Sequence, residues 1–263
     1  MTIIKLKMLK MQLLYEIQLN SLSKSLPLAC RRFYTIHKDA SPFFRAQYIL
    51  ARIFREKNIS LSVIYSRALR YPICDQDVIH CIQRLVKKAI PPLCDDKYLV
   101  RLPKRIFRNL RSGSSWTMTD EPLPFLRYMW DCPDIPTLDL NYPDGYPLIR
   151  AVRAKFVPLI KFLLDHHASP ESSDRLAVKV AIRKKALGIL KLLVERSSVD
   201  PDNGSVNGNG ERRKKRQKLA ERVNLDAELL NVAIAAGASD IIYYLHEEKG
   251  VVPNLETIKT MLG

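Results

Sequence analysis

The chain has 263 residues and a formal net charge of +16, from 43 lysines and arginines against 27 aspartates and glutamates. Its apolar share of 47% excludes a chain disordered throughout, and only nine glycines, set among long helical-period patterns, give an all-β fold little support. Cys30, Cys74, Cys81, Cys94 and Cys132 include no CxxC pair, which argues against a disulfide framework and a cysteine zinc site. No uncharged apolar run reaches the roughly 18 residues of a membrane span, so no membrane partner is expected. The charge balance suits nucleic acid, an anionic surface or acidic proteins, or a solvated basic exterior with one targeting signal in it.

Residues 1–19, MTIIKLKMLKMQLLYEIQL, scatter Lys5, Lys7 and Lys10 among aliphatics, with no acid before Glu16. A secretory signal gathers its charges ahead of an unbroken apolar core. A mitochondrial presequence is basic and acid-poor but uses the arginine and serine that this stretch lacks. The stretch is read as a first helix, packed or frayed. The following segment reads as one amphipathic helix closed before Pro42, with Ser41-Pro42 starting another as cap and first helical position. Ser60 caps LSVIYSRALRYPI. Asp75 or Asp77 opens DVIHCIQRLVKKAI, where Val78, Ile79, Ile82, Leu85 and Val86 share one helical face, and Pro91-Pro92 ends it. The pair is a candidate degenerate repeat. Residues 97–112, KYLVRLPKRIFRNLRS, hold six cations and no acid, and are read as the polar face of a buried helix with Ile106, Phe107 and Leu110 as its apolar edge. Contact with phosphate or lipid headgroups is the alternative reading. Residues 113–121 are a polar link.

Beyond this link the sequence repeats itself. Shifted by 30, Ala151-Val152 fall over Ala181-Ile182, and the segment Leu159–Asp165 falls over Ile189–Glu195. Shifted by 34, PFLRYMWD (124–131) falls over PLIKFLLD (158–165), each position keeping its character: aliphatic or aromatic, basic, and a closing acid. A further copy lies at 224–247, where Ala233-Ile234 stand over Ala151-Val152 at a shift of 82. Units of this size made of two helices stack into solenoids. The excess spacing before the last copy is accounted for by an insert, 197–222, rich first in glycine, asparagine and serine and then in basic residues. Its composition predicts a loop that does not order.

These copies resemble ankyrin repeats. Tyr146-Pro147-Leu148-Ile149-Arg150-Ala151 fill the T-P-L-H-x-A element, and Ile160–Leu164 with Ala168-Ser169-Pro170 fill the second helix and the following turn. Alanine at 151, 181 and 233 lets paired helices approach closely. His167 stands where the family prefers a left-handed glycine, a backbone that histidine tolerates better than most side chains. Leu26–Tyr34, LPLACRRFY, resembles the second half of an F-box, whose leucine-proline start and acidic helix are missing. The combination is similar to fungal ankyrin-like proteins, and it implies a protein-binding scaffold rather than an enzyme.

No GxGxxG, Walker loop, HExxH, GxSxG or CxxC is present, so no catalytic residue, metal or cofactor is assigned. His166-His167 are read as turn residues, and Cys74 and Cys81 as packing thiols. One motif points to function. Arg212, Arg213, Lys214, Lys215, Arg216 and Lys218 form a basic run of the kind that import receptors bind, with nucleic-acid contact or an inert solubilising loop as alternatives. The expected fold is all-α, an ankyrin-like helical-repeat solenoid with an N-terminal helical segment. Residues 1–56 form that partly F-box-like segment, 57–121 are helical with candidate degenerate repeats, and 122–263 carry the ankyrin-like repeats. The expected function is a protein–protein interaction scaffold in the nucleus, or else in the cytoplasm. The alternatives are a ubiquitin-ligase substrate adaptor or a nucleic-acid-binding protein.

Overall fold

The computed structural model describes residues 2–23, 25–54, 59–89, 98–113, 115–196 and 222–253. Among these the chain is mostly helical, its strand content being one short parallel pairing of β1 (Val100–Arg101) with β2 (Leu138–Asp139). It divides into two compact units, the first made of 1–105 with 124–139 and the second of 106–123 with 140–263.

In the first unit α1 (Thr2–Ser21) packs against α3 (Arg31–Lys38) and α4 (Pro42–Ile53). Gln18, buried on α1, donates to the Phe33 carbonyl (3.2 Å), and the Tyr15 ring lies 4.4 Å from that of Phe44. The single amphipathic helix expected before Pro42 is broken. α2 is only Leu26–Ala29, and Cys30 stands extended (φ −156°, ψ 160°) as the residue that starts α3. α4 begins as expected, Ser41 Oγ accepting from the Phe44 amide (3.3 Å) with Pro42 in the first turn. It buries Phe44, Ala46, Tyr48, Ile49, Leu50 and Ile53, and both α5 (Leu61–Ala68) and α6 (Gln76–Ala89) pack on it. Asp75 is the acid that opens α6, accepting from the Val78 amide at 3.0 Å, and Val78, Ile79, Ile82 and Val86 form the buried face.

The stretch 97–112 is not a helix. Among its described residues it supplies β1 and one 3-10 turn, Lys104–Phe107. Pro103 explains the difference, since it lacks an amide and pushes Leu102 out of the helical region. Arg105 is committed to the interior. Its guanidinium donates to the carbonyls of Leu69 and Cys74, the loop that Arg45 also grips through Ile73 O (3.3 Å) and Asp75 (2.7 Å). α7 (Leu123–Asp131) covers the PFLRYMWD match. From Pro124 on it belongs to this unit, where Tyr128 donates to Gln83 Oε1 (3.1 Å) and Gln83 donates to Cys132 Sγ (2.7 Å).

Among its described residues the second unit holds three helix pairs: α8 (Tyr146–Ala154) with α9 (Val157–Asp165), α10 (Ser172–Arg183) with α11 (Leu187–Val194), and α12 (Ala227–Ala235) with α13 (Ser239–Tyr243), which runs on into a π turn, Tyr244–Glu248. The two helices of each pair pack together. α8 packs on α10, α10 on α12 and α9 on α11, so like helices follow like. The aliphatic stripes of α9 and α11 are the buried ones: Leu159, Ile160, Leu163, Ile189, Leu190, Leu193 and Val194. Ala151, Ala181 and Ala233 have no exposure at all, as close approach between first helices requires. Ahead of the first pair, Arg150 takes the carbonyls of Phe107 (3.2 Å), Arg108 (2.8 Å) and Leu110 (2.8 Å), which ties the irregular chain 106–123 to α8.

Candidate protein-binding surface

A first helix that leaves a loop and a second that returns to one place all the helix-to-helix turns at one edge of the unit and all the loops at the other. At the turn edge, Lys155, Lys185 and Gly237 occupy equivalent places with φ of 58°, 49° and 59°. In each turn this residue's amide bonds the carbonyl of Val152, Ile182 or Ile234, and the next amide bonds that of Ala151, Ala181 or Ala233, all within 2.9–3.1 Å. This is the left-handed closure that glycine makes freely and a lysine makes at a cost of about 1–2 kcal/mol. Trp116 covers the first of the turns. Its ring stacks on Phe156 (4.7 Å, 12° between planes) and its Nε1 donates to Ala154 O (3.0 Å).

At the loop edge a second pattern recurs. Asn141 accepts from the Ser169 amide (2.8 Å) and donates to His167 O (3.3 Å), and one pair further on Glu171 accepts from the Asn224 amide (3.1 Å). His167 has φ of 66°, in the left-handed region, and Gly250 (φ 67°) ends the third pair in the same region. Gly250 lies 83 positions after His167 rather than 82, and the π turn at 244–248 takes up the extra residue. His166 bonds its own helix, its Nδ1 lying 2.6 Å from Phe162 O. Among the described residues no group of three or more His, Cys, Asp or Glu is placed to hold a metal. Cys74 is buried, and burial pushes its thiol up to about 12.

The first turn of α10 departs from the other two pairs. Ser173, Asp174 and Arg175 are all left-handed (φ 56°, 55° and 57°). A set of ion pairs holds them. Arg175 reaches Asp226 (2.6 Å) and Glu228 (2.7 Å) on the third pair, and the nearly buried Lys179 reaches Asp174 (2.6 Å) and Glu228 (2.7 Å). The hydrogen bonds to Asp174 and Glu228 raise the Lys179 pKa, and Lys179 in turn lowers that of Asp174. Burial works against charge on Arg175, but Asp226, Glu228 and Asp174 together outweigh it. The solvent side of the first helices is left with Leu176, Val180 and Val232 half-exposed and Arg153 and Arg183 exposed.

The basic run Arg212, Arg213, Lys214, Lys215, Arg216 and Lys218 lies outside the described residues, within 197–221. The chain on either side of that stretch is joined: the Arg222 amide bonds Val194 O (2.8 Å), and its guanidinium reaches Leu192 O (3.1 Å) and Glu195 O (3.4 Å). Sequence reasoning missed the Arg175 and Lys179 network and Trp116, most of whose partners are distant in the chain. It also passed over Lys155 and Lys185, although their alignment with Gly237 marks them. No family model, no curated protein and no solved structure matches the chain. No described helix is long and apolar enough to cross a membrane.

Proposed function

We propose that the protein is a non-enzymatic scaffold for protein–protein interaction, that its second unit is an ankyrin-like helical-repeat solenoid, and that it acts in the nucleus. The observation that carries this reading is the recurrence of one left-handed turn, at 155, 185 and 237, within helix pairs that stack like on like. Such stacking leaves each first helix with a side toward solvent, and successive pairs extend that side into one surface. Leu176, Val180 and Val232 supply its apolar contacts. The nuclear part rests on sequence. Arg212 to Lys218 would pair with the acidic grooves of an import receptor.

The scaffold reading predicts that Leu176→Arg with Val180→Arg removes proteins from the set biotinylated by a proximity-labelling fusion of the full chain. An unchanged set overturns the use of that face. The nuclear reading predicts that Lys214→Ala, Lys215→Ala and Arg216→Ala together move a fluorescent fusion toward the cytoplasm, and unaltered nuclear retention removes it.

A further inference from the structure

The turn edge carries charge that no described carboxylate answers. Arg153 and Lys155 at the first turn, and Arg183, Lys184 and Lys185 at the second, are all exposed. Among the described residues none of the five is paired with a carboxylate, in contrast to Arg175, Lys179, Lys191 and Lys249, which all are. The two turns are neighbours because α8 packs on α10, so the five cations form one patch. A Cβ placed on Gly237 would lie 3.8 Å from Lys185 Nζ, so the second turn also borders the third. There the patch stops. Ala235-Ala236-Gly237 replace the cations, and an exposed acid, Asp240, follows. Lysine is kept at two left-handed positions where the third copy has glycine, so the turn itself does not call for it.

We infer that this edge docks a short acidic segment of a partner protein. The inference rests on the scaffold reading and names the chemistry of one partner. A short segment is favoured over a nucleic-acid strand because the patch spans only two turns and ends at Asp240, against which a continuing phosphate chain would be repelled. Side chains of glutamate or aspartate on an extended peptide can meet both turns, which are about 10 Å apart for packed helices, within a few residues.

The test uses the full chain, a fluorescein-labelled glutamate-rich peptide and an oligo-dT of matching length, followed by fluorescence anisotropy. Lys155→Gly, Lys184→Ala and Lys185→Gly are combined in one variant. Glycine accepts the left-handed backbone, so the thermal midpoint should hold or rise, and lost binding is then not lost folding. The peptide should bind the parental protein saturably and the variant about tenfold more weakly. A second variant, Lys214→Ala with Lys215→Ala and Arg216→Ala, should bind nearly as the parental protein does. The inference is overturned if the turn variant binds like the parental protein, if only the second variant weakens the peptide, or if the peptide does not bind at all. It is also overturned if oligo-dT binds more tightly than the peptide and is the ligand lost in the turn variant. None of these outcomes touches the proximity-labelling result, so the scaffold reading stands or falls separately.

Discussion

In the first unit the loop between α5 and α6 is held by Arg45 and Arg105, whose partners lie 28 to 36 positions away in the chain. In the second unit each helix-to-helix turn is closed by its own backbone amides, bonded three and five residues back. That loop therefore rests on long-range side-chain clamps, whereas the turns between paired helices of the second unit are closed by a short local motif, repeated. The difference teaches where each should be fragile. A clamp fails when one side chain is removed, whereas a repeated turn tolerates the loss of its side chain and depends on the core beneath it.

The two tryptophans let the comparison be broken experimentally, since Trp130 belongs to the first unit and Trp116 to the second. The largest effect is expected for Leu190→Ala. This side chain is fully buried in the stripe shared by α9 and α11, and truncation should cost about 2–5 kcal/mol. In a Trp130→Phe background, the urea midpoint read from Trp116 should fall accordingly. A change of less than about 1 kcal/mol would mean that the second unit's core does not lie where the repeat places it.

Next in size is Arg105→Met, which keeps the volume and removes the donors. The Leu69 and Cys74 carbonyls lose their side-chain partner, at an expected cost of about 1–3 kcal/mol. Trp130 should report this loss in a Trp116→Phe background. Burial lowers the Arg105 pKa, but arginine's margin is wide enough to keep the charge at neutral pH. If Arg105→Met proves neutral, the loop is held by Arg45 alone and the contrast between the units weakens.

What was legible in the sequence divides along the same line. The second helices and the alanines at 151, 181 and 233 follow from spacing, because each copy repeats the same local requirement, whereas the left-handed His167 was expected from the resemblance to ankyrin repeats. Pro103 was visible too, yet the cations around it suggested a helix face, and the helix does not form. The break at Cys30 and the left-handed run at 173–175 have no such local mark. The second is held by Asp226 and Glu228, some fifty positions on and beyond the insert, so only the folded chain brings its partners together. α7 shows the limit of pattern matching: its residues copy a second helix in character, while its described partner Gln83 lies in the first unit.

A smaller effect is expected for Lys179→Met, which removes the cation from the left-handed turn while filling its place. Asp174 has a lowered pKa, so its share of the stability is present above the ordinary aspartate range and is lost as pH falls through the lowered value. Lys179 has a raised pKa, so its share is present below the ordinary lysine range and is lost as pH rises through the raised value. The gap in thermal midpoint between parental and variant proteins should therefore be widest from about pH 5 to about pH 10 and close at both extremes. A gap that does not close toward either extreme would assign the lysine a packing role only.

The smallest effect concerns the stretch 197–221, which interrupts the repeat without separating its parts. Arg222 returns the chain to the point it left, its amide on Val194 O and its guanidinium on the carbonyls of Leu192 and Glu195. Those bonds fix the distance between the two ends whatever lies between them, so the length of the stretch enters only through the entropy of closing it. Replacing 197–221 with a glycine-serine linker of about half its length should raise stability by about 0.6 kcal/mol. The same operation on 69–75 in the first unit should be costly, because the Arg45 and Arg105 partners are the loop's own carbonyls and Asp75. If shortening 197–221 instead destabilises the protein by several kcal/mol, then that stretch contributes contacts to the second unit, and the third helix pair does not stack on the second by its own helices alone. A small gain would establish the continuity of the pairs across the interruption more directly than any match between their sequences.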